Sequence, residues 1–248
     1  VDDDIVDGSV TSTITVAIND GSSDDNFDAV ADQTVSVTTT DDDVAGFTIA
    51  ETDGSTGVTE AGSTDLFTVV LNAQPTTDVV LSISSSDTGE ATVTSSLTFT
   101  SANWDTAKTV TVTGVDDDII DGTQTSTITV SIIDGISDNA FDAVADQTVS
   151  VTTTDDDVAG FTIAETEGST GVDESGSTDI FTIVLDTQPS SDVVLSITSS
   201  DTGEATVESL IQFTSANWDT PQNVTVTGVD DGIIDGTQTS TITVTIVD

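Results

Sequence analysis

Apolar and small polar residues alternate along most of this chain in short runs. Between Gly46 and Thr154 there are seven of them: GFTIAE (46–51), DLFTVVLN (65–72), DVVLSISS (78–85), SLTFT (96–100), KTVTVTGV (108–115), TSTITVSII (125–133) and QTVSVTTT (147–154). A period of two built from Val, Ile, Phe and Thr is the pattern of a strand with one buried face. Asp-Gly, Gly-Ser and Gln-Pro steps between the runs mark turns. No stretch carries a helical period. About seven short strands in roughly 110 residues predict an antiparallel, Ig-like β-sandwich.

The pattern then repeats. VAGFTIAET begins at Val44 and again at Val158, 114 residues apart, and TSANWDT recurs from Thr100 to Thr214. VDDDIVDG at Val1 returns as VDDDIIDG at Val115 and VDDGIIDG at Val229. Solenoid units run about 20–50 residues, so this period fits one sandwich per repeat. The predicted fold class is therefore all-β, a tandem array of antiparallel Ig-like β-sandwich domains with a 114-residue repeat. Residues 1–43 read as the C-terminal part of a preceding repeat, 44–157 as a complete repeat, and 158–248 as a second repeat lacking its last strand. Trp104 and Trp218, each in SANWDT, are expected to plug one end of a sandwich; one such aromatic per repeat makes a poor sugar platform.

Composition removes several function classes. The chain carries 46 Asp and Glu against one basic residue, Lys108, and no His, a formal charge of −45. Nothing here neutralises phosphates, so nucleic acid is excluded as a partner, and an anionic membrane surface repels the chain. The hydrophobic fraction of 35% excludes the acidic disordered class. Cys is absent, so there is no disulfide or thiolate metal site. No apolar run approaches the roughly 18–20 residues of a membrane span, so no direct membrane insertion is expected. The start at Val1, without Met or a signal-peptide pattern, reads as an internal piece of a longer protein. With no His, Cys or Tyr, base and nucleophile choices reduce to carboxylates and hydroxyls. A non-enzymatic role is expected. Gln222 replaces Lys108 in the next copy, which also speaks against an isopeptide crosslink through that lysine.

The placement of the acids is informative. Strand faces are mostly Thr and Ser, while carboxylates collect where strands end: Asp116, Asp117, Asp118 and Asp121 after one strand, Asp155, Asp156 and Asp157 where one repeat meets the next, and Glu60 and Glu174 in the turn-like GVTEAG and GVDESG. A salt-adapted surface would scatter its acids over the strand faces. Clusters repeated in register at strand ends point to cation sites, because adjacent carboxylates repel unless a cation lies among them. Oxygen donors without His or Cys select calcium or magnesium. Irregular carboxylate-rich loops suit the loose coordination of Ca²⁺ better than the strict octahedron of magnesium. No EF-hand loop or calcium nonapeptide repeat is present.

These residues resemble the Calx-β domain, the calcium-binding Ig-like module of sodium–calcium exchangers, which also occurs in long arrays in bacterial surface proteins. The resemblance runs from each GFTIAE strand through the closing Asp run. It implies calcium at one end of the sandwich, held in the complete repeat by Glu60, Asp116, Asp117, the Ile119 carbonyl, Asp121 (where the family often has Glu) and Asp155, Asp156 and Asp157. The matching positions are Glu174, Asp230, Asp231 and Asp235 in the third copy, whose closing run would follow Asp248. In the first, partial copy they are Asp2, Asp3, Asp7, Asp41, Asp42 and Asp43. SSDTGEATV (85–93) replaces the family's usual DGTA…DY element, leaving one expected Asp ligand for which Asp87 and Glu90 are the candidates. Asp138, Asn139 and Asp142 form either a second site or an Asx-rich loop. Gly232 stands where the complete repeat has Asp118, so Asp118 is not essential.

The expected function is that of calcium-stiffened extender repeats of a large secreted or cell-surface adhesin or filament protein, with neighbouring repeats of the chain as partners. One alternative is a binding module for carbohydrate or cell contact, using Thr rows on the strands. Drift between copies at exposed positions such as Thr94/Glu208 and Thr98/Gln212 favours a spacer. The other is a filament in which identical chains complete each other's sandwiches by strand addition. Residues 1–20 duplicate 229–248, so such a donor brings one strand too many.

Overall fold

The computed structural model describes residues 3–234 and 236–247. Asp2 and Asp235, both among the candidate ligands above, lie outside the described residues. Strands β1 (Val10–Val16) and β2 (Gln33–Thr39) form a two-stranded antiparallel hairpin. Next come β3 (Phe47–Glu51), β4 (Thr56–Thr59), β5 (Thr64–Leu71), β6 (Val79–Ser85), β7 (Ala91–Val93), β8 (Ser96–Phe99), β9 (Lys108–Gly114), β10 (Gln124–Ile132) and β11 (Gln147–Thr154). They make two sheets, β3-β5-β9-β7 and β4-β11-β10-β6-β8. The fold is the all-β sandwich that the alternation predicts. It has nine strands where the pattern gives about seven, because β4 and β7 span four and three residues. Runs that short carry too few alternations to stand out from turns.

The core follows from the period of two. Phe67, Val69 and Leu71 of β5, Val110 and Val112 of β9, and Val79 and Leu81 of β6 all point inward and are buried, as are Ile128, Val130, Val149 and Val151 of β10 and β11. Trp104 packs half-buried against this core, and its carbonyl accepts the Leu71 N–H at 3.2 Å.

The second sandwich repeats the arrangement with β12 (Phe161–Glu165), β13 (Thr178–Leu185), β14 (Val193–Ser199), β15 (Ala205–Val207), β16 (Leu210–Phe213), β17 (Gln222–Gly228) and β18 (Ile242–Ile246). Its sheets are β12-β13-β17-β15 and β16-β14-β18. Among the described residues, no strand takes the places that β4 and β11 hold in the first sandwich.

By compactness the chain divides into Val1–Val115 with Thr125–Thr153, and Asp116–Gln124 with Thr154–Asp248. Main-chain pairing explains why the acidic loops sort this way. In the first unit Ile5 forms a parallel bridge with Gln74, whose N–H donates to the Asp4 carbonyl at 2.6 Å. In the second, Ile119 bridges Gln188, whose N–H donates to the Asp118 carbonyl at 2.7 Å. The same loop meets the same Gln-Pro turn in both copies.

One glycine ends β9 for a steric reason. A Cβ on Gly114 would meet the Thr59 carbonyl oxygen at 2.1 Å, and one on Gly228 would meet the Asp173 oxygen at 2.0 Å. The turn carrying Glu60 thus presses against bare backbone. Gly114→Ala is expected to destabilise the first sandwich by about 2–3 kcal/mol, as overpacking at a rigid backbone contact does. A thermal melt unchanged by this substitution would contradict the close approach.

Candidate metal centre

Glu60 sits in the tight turn between β4 and β5. The Thr59 N–H donates to Ser63 Oγ at 2.7 Å, the Gly62 N–H to the Thr59 carbonyl at 3.2 Å, and the Gly114 N–H to the Ser63 carbonyl at 3.0 Å. The turn is pinned to the end of β9, and Glu60 is only 1% exposed. Glu90 opens β7 beside it: its carbonyl accepts the Val115 N–H at 2.9 Å and the Thr153 hydroxyl at 3.3 Å. Both contacts hold Glu90 against the ends of β9 and β11.

Two groups of carboxylates share Glu60. Oxygens of Glu60, Glu90 and Asp121 lie within 4.8 Å of one another, and so do oxygens of Glu60, Asp155 and Asp157. Asp121 comes from the loop that continues β9, and Asp155 and Asp157 directly continue β11. Asp155 clamps these two segments. One of its oxygens accepts the Gly122 N–H at 2.7 Å and the other the Asp157 N–H at 2.8 Å. These bonds hold the Asp155 carboxyl below its ordinary range. Asp157 goes the other way: burial pushes its carboxyl up, and the charges of Asp155, Asp118, Asp156 and Asp116 add to the effect. Its Oδ2 is buried with no hydrogen-bond donor.

No basic side chain relieves this crowding. Lys108, the single Lys or Arg of the chain, donates to the Thr98 carbonyl and lies over the Phe99 ring, 4.8 Å from its centroid. A site made only of oxygen donors, partly buried and strongly negative, fits a hard divalent cation and does not fit zinc or copper.

Of the ligands that the sequence places in the complete repeat, the structure brings together Glu60, Asp121, Asp155 and Asp157. Asp116 and Asp156 are exposed nearby and belong to neither group. Asp117 turns one oxygen back to the Ile119 N–H at 2.7 Å, and Ile119 is engaged with Gln188. Between the two candidates for the missing ligand, Glu90 joins the group, whereas Asp87 caps its own turn by accepting the Gly89 N–H at 3.0 Å.

Asp138 is a hydrogen-bond hub. One oxygen accepts the Thr76 N–H at 2.6 Å, the Thr76 hydroxyl at 2.7 Å and the Thr77 N–H at 2.8 Å, and the other accepts the Ala140 N–H at 3.0 Å. Of the two readings open for Asp138, Asn139 and Asp142, this geometry matches the Asx-type loop.

The other copies gather less. Asp3, Asp7, Asp41, Asp42 and Asp43 line a cleft of about 300 Å³ beside the hairpin. There Asp41 repeats the clamp, accepting the N–H groups of Gly8 at 2.7 Å, Asp7 at 3.1 Å and Asp43 at 2.9 Å. In the second sandwich Glu174 is exposed, and Asp230 and Asp231 accept the N–H groups of Gly232 and Ile233 at 3.2 and 2.7 Å. Among the described residues, three carboxylates converge only around Glu60.

No family model matches this chain. No curated protein matches it either. Among solved structures it is similar to domains 4 and 5 of the S-layer protein SbsC, with 22% identity, TM-score 0.35 and 58% of each chain covered. It is also similar to the apo form of the Calx CBD1 domain, with 17% identity, TM-score 0.33, and 45% of this chain and 98% of that one covered. The calcium-binding domain CBD12 of CALX1.1 matches at 15% identity and TM-score 0.33, over 74% of this chain and 76% of that one. The chain thus spans just over half of the S-layer structure.

Proposed function

We propose that this chain is a stretch of calcium-loaded structural repeats, a spacer from a large secreted or cell-surface protein. The observation that carries the reading is the pair of carboxylate groups sharing buried Glu60, set where β9 and β11 end. A calcium ion there offsets the mutual repulsion of five side chains, Glu60, Glu90, Asp121, Asp155 and Asp157. It also fixes the loop after β9 and the segment after β11, which leads by only Val158-Ala159-Gly160 into β12. Fixing that short connection limits the freedom between successive repeats, so cation binding stiffens the array. Extracellular modules bind calcium at about 10⁻⁴–10⁻³ M, a range matched to outside fluids and far above cytosolic levels.

The alternation supports a scaffold in a second way. The exposed faces carry Thr and Ser, which suit strand backbone, and the site offers carboxylates without the His, Cys or Tyr that would widen its chemistry. The described residues contain no helix long and apolar enough to cross a membrane. The reading is tested by isothermal titration of chelator-stripped protein with calcium, beside small-angle scattering in calcium and in chelator. Saturable heat and a longer maximum dimension in calcium are expected. Absence of saturable binding would end the proposal.

A further inference from the structure

The loop between β9 and β10 leaves the first sandwich and is held by the second. Val115 closes the first compact unit, and Asp116–Gln124 goes with the second. The Val115 N–H donates to the Glu90 carbonyl at 2.9 Å. A few residues on, the Asp118 carbonyl accepts the Gln188 N–H at 2.7 Å, and Ile119 pairs with Gln188 in a parallel bridge. Gln188 lies in the Gln-Pro turn between β13 and β14, and its Nε2 is tied to the Ser215 carbonyl at 2.9 Å. The loop then closes at Gly122, whose N–H donates to Asp155 at 2.7 Å.

The contact recurs. In the first sandwich the Gln74 N–H donates to the Asp4 carbonyl at 2.6 Å, Ile5 bridges Gln74, and Gln74 Nε2 donates to the Ser101 carbonyl at 2.7 Å. The loops share Val-Asp-Asp-Asp-Ile (1–5 and 115–119), and the turns share Gln-Pro (74–75 and 188–189). Loop and turn meet through main chain, so a carbonyl acceptor at position 118 demands no particular side chain. That leaves the Asp121 carboxylate, in the same loop, for the group with Glu60 and Glu90.

Length decides what this seat does. At roughly 3.3–3.6 Å per residue, the three steps from Val115 to Asp118 reach at most about 11 Å. The direct connection from Thr154, the end of β11, to Phe161, the start of β12, has seven steps and reaches about 25 Å. While the loop is seated, it is the shorter tether.

We propose that the 116–121 loop is a strut: seated on the Gln188–Pro189 turn, it restrains the second sandwich more tightly than the linker does, and it couples that turn to cation binding through Asp121. The coupling rests on the cation reading above; the seating does not. Seating orders the main chain that carries Asp121, so a cation meets a ligand whose ordering cost is partly met beforehand. By linkage, the cation strengthens the seating by the same factor.

Cysteine trapping tests the seating. An Ile119→Cys, Gln188→Cys chain, free of other cysteines, closes an intramolecular disulfide on mild oxidation. It closes about fivefold faster in calcium than in chelator, and faster than an Ile120→Cys, Gln188→Cys chain, which is one residue out of register. Calorimetric titration with calcium reads the coupling from the other side. Gln188→Pro, which removes the N–H donor, weakens calcium binding about fivefold, whereas Gln188→Ala, which keeps the donor, leaves it unchanged. If Gln188→Pro fails to fold, the trapping rates decide. A matched pair that does not close, or closes no faster than the out-of-register pair, overturns the seating. Closure in a chain that shows no saturable calcium binding upholds the seating and removes the cation reading. Calcium binding by the parent, with trapping rates equal in both solutions and affinity unchanged in Gln188→Pro, overturns the coupling.

Discussion

Glu60→Gln raises the melting temperature in chelator and lowers it in calcium. Without a cation, Glu60 is a nearly fully buried carboxylate facing four others. Like charges at such distances repel by on the order of 3 kcal/mol per pair at an effective dielectric of about 20, and by less where a partner such as Asp121 is exposed. The amide keeps the shape and removes the charge; with solvent screening leaving about 1 kcal/mol of that repulsion as net relief, the stripped variant should melt about 5 °C above the stripped parent, given roughly 4–8 °C per kcal/mol for a domain of this size. In calcium the balance reverses. A free concentration about 10–100 times the dissociation constant stabilises a one-site protein by roughly 1.4–2.7 kcal/mol, and a variant lacking the shared ligand forfeits most of it. Differential scanning calorimetry of both proteins in both solutions reads the sign change directly. A melting temperature that moves the same way in each solution would leave Glu60 as an ordinary buried acid.

Acid pH should act on the same site in two stages. Asp157, raised by burial and by its acidic neighbours, takes up a proton at a higher pH in the folded protein than in the unfolded chain. The native state then binds more protons than the unfolded chain, so stability of the stripped protein increases through that range. Asp155 and Asp138, whose carboxyls are held low, contribute stability that is complete above the unfolded carboxylate value. It is lost as pH drops toward their folded values. The stripped protein is therefore expected to pass through a stability maximum on acidification, while calcium affinity only declines. Melting curves across the acid range check both.

Asp138→Ala is the substitution with the other large expected effect. Burial by itself would push this carboxyl up, yet bonds from the Ala140 N–H, the Thr76 hydroxyl, the Thr77 N–H and the Thr76 N–H outweigh it and hold it low. Asp138 is 4% exposed, so alanine leaves several donors with little access to water. Bonds to a charged acceptor contribute about 1.5–3 kcal/mol each, without simple additivity. A loss of about 3 kcal/mol and a fall of roughly 10–20 °C in melting temperature are expected. Asp138→Asn should retain part of the stability and lose the associated acid limb. An unchanged melting temperature in Asp138→Ala would show that the Thr76–Thr77 turn holds without this carboxylate.

How far the site was legible follows from what each residue depends on. Glu60, Asp121, Asp155 and Asp157 were accessible because the repeat marks strand ends, and side chains at the same end of a sandwich meet. Glu90 was one of two candidates, and the choice between it and Asp87 turned on one hydrogen bond: Asp87 spends its oxygen on Gly89. Asp117 and Asp155 resemble each other as letters in Asp runs. In space Asp117 shapes its own loop, while Asp155 clamps two loops together and still faces Glu60. The role of Gln74 and Gln188 left no chemical signature, since the bridge uses their main chain.

The sequence by itself determined the all-β class, the 114-residue period and the inward set of side chains on the longer strands, because a period of two assigns each residue to a face without reference to anything distant. It also determined that any cation bound here meets oxygen and not sulfur or imidazole, since composition alone decides that. Only the tertiary structure decided which carboxylates converge and which close on their own backbone, and that Asp138 is a latch. Those outcomes depend on which distant segment lies alongside, as the Thr76–Thr77 turn does for Asp138.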